Sequence, residues 1–402
     1  MSKREPGHKE YKYLYRQMLS EELIRRAYKK LRKGKTKRPE IQKIDQNLDA
    51  EVQDMREMIL NTKPPGVEVP NPEKAYRSRN HNPKRIFEHG KWRTICKPEI
   101  HEQWLHHIIV LVLEPIIVAT AYPYSCGSFP RRGGHYGKRQ IERWIRADPK
   151  GVRNFAKIDI RHFYDNVRLP ILMRELAIRI KDAWFLHIIW LCLKDFKRGL
   201  PLGFYISQWL ANYLLEPLDW MITRQLGITK TVRFMDDVTM FCENKRRLHS
   251  AVKQIKIMLG RRFRLRLKHN YQVCKFWFQS KAKWVRGKRR GKPKIIGRAL
   301  DFMGFLFFRN RTTIRKRTML RATRLASRMR RRAEAGKKYF SRHVSAMLSY
   351  VGWFTCTDSY QCYSERIKPC VEIRKLKRII PRIQRRKNHH ERMVQGSLLQ
   401  QA

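Results

Sequence analysis

The sequence predicts an α+β fold with helical flanks around a strand-bearing centre. Three observations carry that expectation. Apolar residues recur at helical spacing among charges over residues 9–62. Short apolar or alternating segments at 84–97, 155–160 and 230–242 have strand character. The stretch 281–340 is a basic hairpin followed by a basic helix, with 22 Lys or Arg against two acids, Asp301 and Glu334.

Each element has its own signal. Leu14, Met18, Leu19, Leu23, Ile24, Ala27 and Leu31 mark one face of the first helices. KKLRKGKTKRPE (29–40) is a basic break, and Lys63-Pro64-Pro65-Gly66 with Pro70 and Pro72 forms a linker. KRIFEHGKWRTICK (84–97) predicts a β-hairpin turning at His89-Gly90. Residues 101–119 form a helical block. Its apolar run, Leu105–Ala121, is interrupted by Glu114 and Pro115, which predicts a buried helix pair rather than a membrane span of about 20 residues. SCGSFPRRGGHYG (125–137) is a Gly-rich basic loop opening a helix at 138–147. Phe155–Ile160 predicts a strand with Ile158 and Ile160 on one side and Lys157 and Asp159 on the other. Ile206, Trp209, Leu210, Tyr213 and Leu214 predict an amphipathic helix limited by Pro217. KTVRFMDDVTMFC (230–242) predicts two strands around a polar tip, Asp236-Asp237. The segment after His389-His390 has the composition of a frayed tail.

The 402 residues include 90 Lys or Arg and 34 Asp or Glu, for a net charge of +56. Hydrophobic residues make up 42%, enough for a sizeable core and too many for a wholly disordered basic chain. A polyanion such as nucleic acid would neutralise that charge. The segments 9–50 and 281–340 are the candidate RNA-contacting regions. The N-terminus has no apolar signal-peptide core, so a cytoplasmic location with no membrane partner is expected. Eight scattered cysteines form no CxxC pair and predict reduced thiols. His101, His106 and His107 lack Cys or carboxylate companions, and a packing or surface role is expected for them.

Three carboxylates stand apart in this basic chain: Asp159 on a strand, and Asp236 with Asp237 at a hairpin tip. A lone Asp among cations is ordinarily a surface salt bridge. These three lie beside apolar strand sequence, where side chains emerge from a sheet. Gathered together they would be costly without a hard dication, and Mg²⁺ takes carboxylate and phosphate oxygens. Two such ions about 3.5–4 Å apart serve phosphoryl transfer by positioning and charge neutralisation.

Six segments, in order, resemble the reverse transcriptases. AKIDIRHFYDNV (156–167), GLPLGFYISQWLANYLLEPLD (199–219) and VRFMDDVTMF (232–241) resemble the family's motifs A, B and C, with Phe234 where the family usually has Tyr. KWRTI (91–95) resembles the fingers hairpin, SFPRRGGHYGKRQI (128–141) a fingers segment of the bacterial enzymes, and ALDFMGFLFFR (299–309) the primer grip. Leu202-Gly203 followed by Ser207-Gln208 resembles the LGxxxSQ form of diversity-generating retroelements. SAMLSYVGWFTCTDSYQCYSERIKP (345–369) resembles the thumb of that group, and no HNH endonuclease motif follows it.

The resemblance implies a right-hand polymerase with fingers, a palm built on an antiparallel sheet, and a helical thumb. It implies a helical N-terminal extension at 1–66, fingers and palm at 67–315, and a basic thumb and tail at 316–402. It implies RNA-directed DNA synthesis with Mg²⁺ held by Asp159, Asp236, Asp237 and the Ile160 carbonyl, with the three Asp residues catalytic. Lys91 and Arg93 would hold the triphosphate of dNTP substrates, and a solvated hairpin face is their structural alternative. Tyr164 would be the sugar gate or a core aromatic, and Phe163 a core aromatic. Leu202 and Gly203 would line the nucleotide, with Leu202 lowering base discrimination where most relatives have Gln, or being an apolar substitution without consequence. Ser207 and Gln208 would cap or orient the following helix. Met303 and Gly304 would grip the primer, and Lys268 is a candidate general acid for pyrophosphate. Implied partners are an RNA template, a DNA or RNA primer and a small basic accessory protein. The rival roles are a phage-defence or group II intron-derived reverse transcriptase, or a non-catalytic RNA-binding scaffold.

Overall fold

A computed structural model describes residues 9–78, 83–88, 91–196, 198–279, 284–285, 288–289 and 295–381. The chain divides into two compact units, one of residues 1–137 with 156–273 and one of 138–155 with 274–402.

Four helices open the first unit: α1 (Leu14–Met18), α2 (Glu21–Arg32), α3 (Pro39–Gln46) and α4 (Leu48–Leu60). Ser20 starts α2 by accepting from the Leu23 N–H, and Glu21 and Glu22 occupy the first turn, where the helix dipole favours anions. The buried stripe Ile24, Ala27, Tyr28 and Leu31 follows the spacing seen in the sequence. The Tyr15 hydroxyl donates to the Ile59 carbonyl at 2.7 Å, tying α1 to the end of α4. Strands β1 (Pro83–Glu88) and β2 (Lys91–Cys96) pair antiparallel from Pro83↔Cys96 to Glu88↔Lys91. Their expected turn, His89-Gly90, lies outside the described residues.

The apolar run thereafter is one helix, α5 (Ile100–Thr120), with Pro115 inside it, and not the expected helix pair. Proline in a helix interior costs about 3 kcal/mol. Twelve residues of α5 are buried, from Glu102 to Ile117. Each large apolar side chain so buried contributes roughly 1.5–3 kcal/mol, so packing outweighs the missing hydrogen bond. By length and composition this helix is apolar enough to cross a membrane, and 61% of its most apolar window is buried inside the protein.

Next come β3 (Ser125–Cys126), α6 (Gly134–Ala147), β4 (Asn154–Asp159), α7 (Phe163–Asn166), α8 (Leu169–Arg179), α9 (Ala183–Leu193) and α10 (Tyr205–Trp220). Pro217 does not end α10, which runs to Trp220 and then widens into a π-turn at Met221–Gln225. Twelve of its residues are buried, and the same balance of packing against one lost hydrogen bond holds. β5 (Thr231–Phe234), β6 (Asp237–Cys242), α11 (Lys245–Met258) and β7 (Gln272–Lys275) follow. The sheet order is β3-β5-β6-β4-β7, with β5 antiparallel to β6 and parallel to β3. Ile24, Trp104, Ile109, Ile158, Leu210, Met240 and Val252 belong to one hydrophobic core, so the N-terminal helices pack with the sheet.

The second unit carries β8 (Phe278–Gln279), β9 (Trp284–Val285), β10 (Lys288–Arg289), β11 (Ile295–Ile296), β12 (Leu300–Phe302), β13 (Phe305–Phe307) and β14 (Thr312–Ile314). β9 and β10 form the expected basic hairpin. β12, β13 and β14 form a three-stranded antiparallel sheet. Helices α12 (Lys316–Glu334), α13 (Ser341–Thr355) and α14 (Tyr360–Arg366) surround a separate core that includes Ile314, Ala326, Met329, Val344, Met347 and Phe354. The His389-His390 tail lies outside the described residues. All eight cysteines are free thiols.

Candidate active site

β4 carries Asp159 as its last residue because alternation buries Ile158 in the core and leaves Asp159 half-buried at the strand's end. β5 and β6 are joined by a two-residue turn, Met235-Asp236, with Phe234 opposite Asp237. The tip is therefore Met235-Asp236, and Asp237 is already the first residue of β6. β4 and β6 are neighbours in the sheet, which brings Asp159 beside this turn. The Ile160 N–H donates to the Asp236 carbonyl at 3.4 Å, and the Lys268 N–H to the Asp159 carbonyl at 2.8 Å. The Ile160 side chain is fully buried.

The electrostatics are those of a buried carboxyl with a second carboxylate beside it. Burial, and after it the neighbouring Asp159, push the Asp236 carboxyl up to about 6, and Asp237 adds to the effect. The Lys268 ammonium is bonded to Asp159 Oδ2. Asp159 Oδ1 is buried and has no hydrogen-bond partner among the described residues. A bare buried carboxylate oxygen, a lysine seated on its twin and an adjacent carboxyl pushed upward fit a hard cation such as Mg²⁺. No group of three or more His, Cys, Asp or Glu among the described residues forms a ready-made metal cage. Substrate phosphate oxygens would have to complete any metal shell.

Tyr164, in α7, is half-buried and packs against Phe163 with ring centroids 5.5 Å apart. Burial and the charge of Asp236 raise its hydroxyl pKa, which puts the ring in the electrostatic neighbourhood of the carboxylates. Phe163 is a core aromatic at 2% exposure.

Leu202 and Gly203 lie against the β1–β2 hairpin. The Cys96 N–H donates to the Leu202 carbonyl at 2.8 Å. Gly203 has φ +105°, and a Cβ there would lie 2.1 Å from the Cys96 carbonyl oxygen. Only glycine permits that backbone at that distance. The hairpin that carries Lys91 and Arg93 is thus fixed to the segment opening α10. Arg93 is exposed, and the Lys91 side chain lies outside the described residues. Ser207 donates to the Pro201 carbonyl at 2.8 Å, and Gln208 accepts from the Ser128 hydroxyl at 3.0 Å, so both orient the start of α10.

Met303 and Gly304 form the turn between β12 and β13, with positive φ at both residues. A Cβ at Gly304 would lie 2.6 Å from the Trp353 ring. These two residues belong to the second unit and the carboxylates to the first. His106 packs on Phe204 and His107 stacks on Tyr205, while exposed His101, contrary to expectation, has a carboxylate companion in Glu51, brought to it from 50 residues away by the fold; the three histidines share no site.

Sequence reasoning missed Arg233, Asp219 and Asn212, a buried polar group beneath the Met235-Asp236 turn. A charged residue two places before the tip, inside an otherwise apolar strand, was the available signal.

The family model described as "Reverse transcriptase (RNA-dependent DNA polymerase)" matches residues 79–286, just over half of the chain. Protein YkfC of Escherichia coli is 25% identical over 151 residues, covering 34% of this chain and 39% of that protein. The group II intron-encoded protein LtrA of Lactococcus lactis is 24% identical over 254 residues, covering 60% of this chain and 40% of that protein. The chain therefore spans about 40% of the length of the curated relatives it matches. Among solved structures, apo telomerase from Candida tropicalis aligns with TM-score 0.47 at 13% identity over 72% of this chain and 54% of that one. From the matched residues 79–286 and the α+β architecture with its antiparallel β5–β6 hairpin, the chain belongs to the reverse transcriptase family and has its right-hand polymerase fold.

Proposed function

We propose that this chain is an RNA-directed DNA polymerase that makes cDNA by two-metal phosphoryl transfer, and that it serves a diversity-generating retroelement. The observation that carries the catalytic half is the state of Asp159. One oxygen is buried without a partner, the other holds Lys268, and the neighbouring Asp236 carboxyl is pushed up to about 6. Asp159 and Asp236 would hold Mg²⁺, with Asp237 supporting them. Bound Mg²⁺ supplies activation of the attacking 3′-oxygen and neutralises charge on the leaving pyrophosphate. Arg93 binds the triphosphate through its planar fork. The Tyr164 ring fills the space a ribose 2′-OH would need. Lys268, close to the reacting phosphates through its bond to Asp159, would protonate pyrophosphate as it leaves.

The template is RNA, the primer DNA or RNA, and the substrates are dNTPs. On α12, Arg317, Arg321, Arg324, Arg328 and Arg331 are exposed at helical spacing opposite the buried Ala322, Ala326 and Met329. Such an arginine stripe suits a phosphate backbone. A small basic accessory protein completes the set in the diversification reading.

Leu202 supports that reading. A Gln there would donate a hydrogen bond to the nucleotide, whereas Leu offers only shape. One hydrogen bond is worth about 0.5–1.5 kcal/mol, or roughly tenfold in discrimination. The test is sequencing of cDNA made on a defined RNA by wild type and Leu202→Gln. Wild type should misincorporate most opposite template adenines, and Leu202→Gln should lower that error roughly tenfold while retaining synthesis. A wild type that copies adenine as accurately as other bases favours a defence or intron-derived role.

A further inference from the structure

We propose that Arg233 is a positioning residue that holds the Met235-Asp236 turn in its metal-binding shape, using a buried network anchored on α10. The inference rests on the polymerase reading above.

The turn is under backbone constraint. Met235 has φ +56°, a left-handed conformation that a side chain with a Cβ disfavours. Hairpin turns of this kind ordinarily use Gly or Asn at such a position. A strained residue persists only where its surroundings over-determine it. Here both of its peptide groups are pinned. The Met235 N–H donates to the Cys126 carbonyl at 3.3 Å. The Met235 carbonyl, one bond before Asp236, accepts from Arg233 Nη1 at 3.0 Å. The peptide that joins Met235 to Asp236 cannot flip without breaking the Arg233 bond.

Arg233 is itself immobilised. It is 1% exposed and Asp219 is not exposed at all. Nε and Nη2 meet the Asp219 carboxylate at 2.8 and 2.7 Å, a bidentate fork. Nη1 also donates to Asn212 Oδ1 at 3.0 Å. Asn212 Nδ2 donates to the Gly127 carbonyl at 3.2 Å, and Gly127 lies directly under the Met235 side chain. Asp219 and Asn212 both stand on α10, the helix that follows Leu202 and Gly203 in the chain. A guanidinium reaches all three acceptors at once because its donors are fixed in one plane, whereas an ammonium on a flexible stem does not. If a charge partner for Asp219 were all that was needed, lysine would serve.

Two variants separate positioning from folding. Arg233→Lys keeps the charge against Asp219 and loses the fork. Arg233→Met with Asp219→Leu removes the whole ion pair, a replacement that buried pairs often tolerate without loss of stability. Mn²⁺ binding to the full chain with dATP present is read by electron paramagnetic resonance, alongside thermal melting. The expected result is a near-wild-type melt with Mn²⁺ affinity at least tenfold weaker in both variants. Met235→Gly, which takes the left-handed turn without strain, should return several-fold of the loss in the Arg233→Lys background.

Either variant folded with wild-type Mn²⁺ affinity overturns the proposal. So does failure of both to fold, since the pair would then serve the core alone. A wild type that binds no Mn²⁺ overturns the polymerase reading instead.

Discussion

Asp236 answers to two opposed demands. Its carboxyl is pushed up to about 6 by burial and by Asp159, above the ordinary carboxylate value. A folded-state pKa above the unfolded one means that the ionised group opposes folding once pH exceeds the unfolded value, in full above about 6. At pH 7 in EDTA, Asp236→Asn should therefore stabilise the chain by about 1 kcal/mol, read as a higher melting temperature. The same variant should lose Mg²⁺-dependent incorporation by roughly 10³-fold and keep its RNA affinity. No gain in EDTA would mean that Lys268 already neutralises the carboxylates. Tyr164 is tested by its own substitution. Tyr164→Ala should raise rNTP use relative to dNTP by about tenfold or more. An unchanged ratio would make the ring a packing residue only.

Elements carry the site by touching one another. Leu202-Gly203, just before α10, is joined to β2 by one backbone hydrogen bond and by a glycine that leaves room for no side chain. Gly203→Ala would set a Cβ against the Cys96 carbonyl and the Ile95 methyl at 2.1 and 2.9 Å. It should cost about 1–3 kcal/mol of stability and raise the KM for dNTP more than it lowers kcat, measured by melting and steady-state extension. A wild-type KM in a folded Gly203→Ala chain would separate this contact from nucleotide binding. Strand and helix positions were legible because alternation and helical spacing are local. The continuity of α5 through Pro115 and of α10 through Pro217 was not legible. A proline reads as a stop along the chain, and only the burial around it shows what offsets its cost.

At the scale of the whole molecule, charge governs behaviour. A net +56 repels itself until a polyanion is bound. Affinity for an RNA–DNA duplex should fall by roughly 10³-fold or more between 50 and 200 mM salt, as expected for six or more phosphate contacts. Fluorescence anisotropy across a salt series measures the slope, and Asp236→Asn should leave that slope unchanged. A flat salt response would mean that the excess charge faces solvent and not nucleic acid.

By itself the sequence determined the α+β class, the basic character, the strand that carries Asp159, the hairpin that presents Asp236, and the family resemblance. Each depends on residue type and short-range spacing, which a linear string contains. Tertiary structure alone decided that Lys268 sits on Asp159, that Gly203 meets Cys96, and that Arg233 reaches from Asp219 to Met235. Those contacts join residues separated by 109 positions in the first case and, in the last, by 14 on the Asp219 side. They form because burial forces polar groups to find partners wherever the folded backbone puts them, and no local spacing encodes that search.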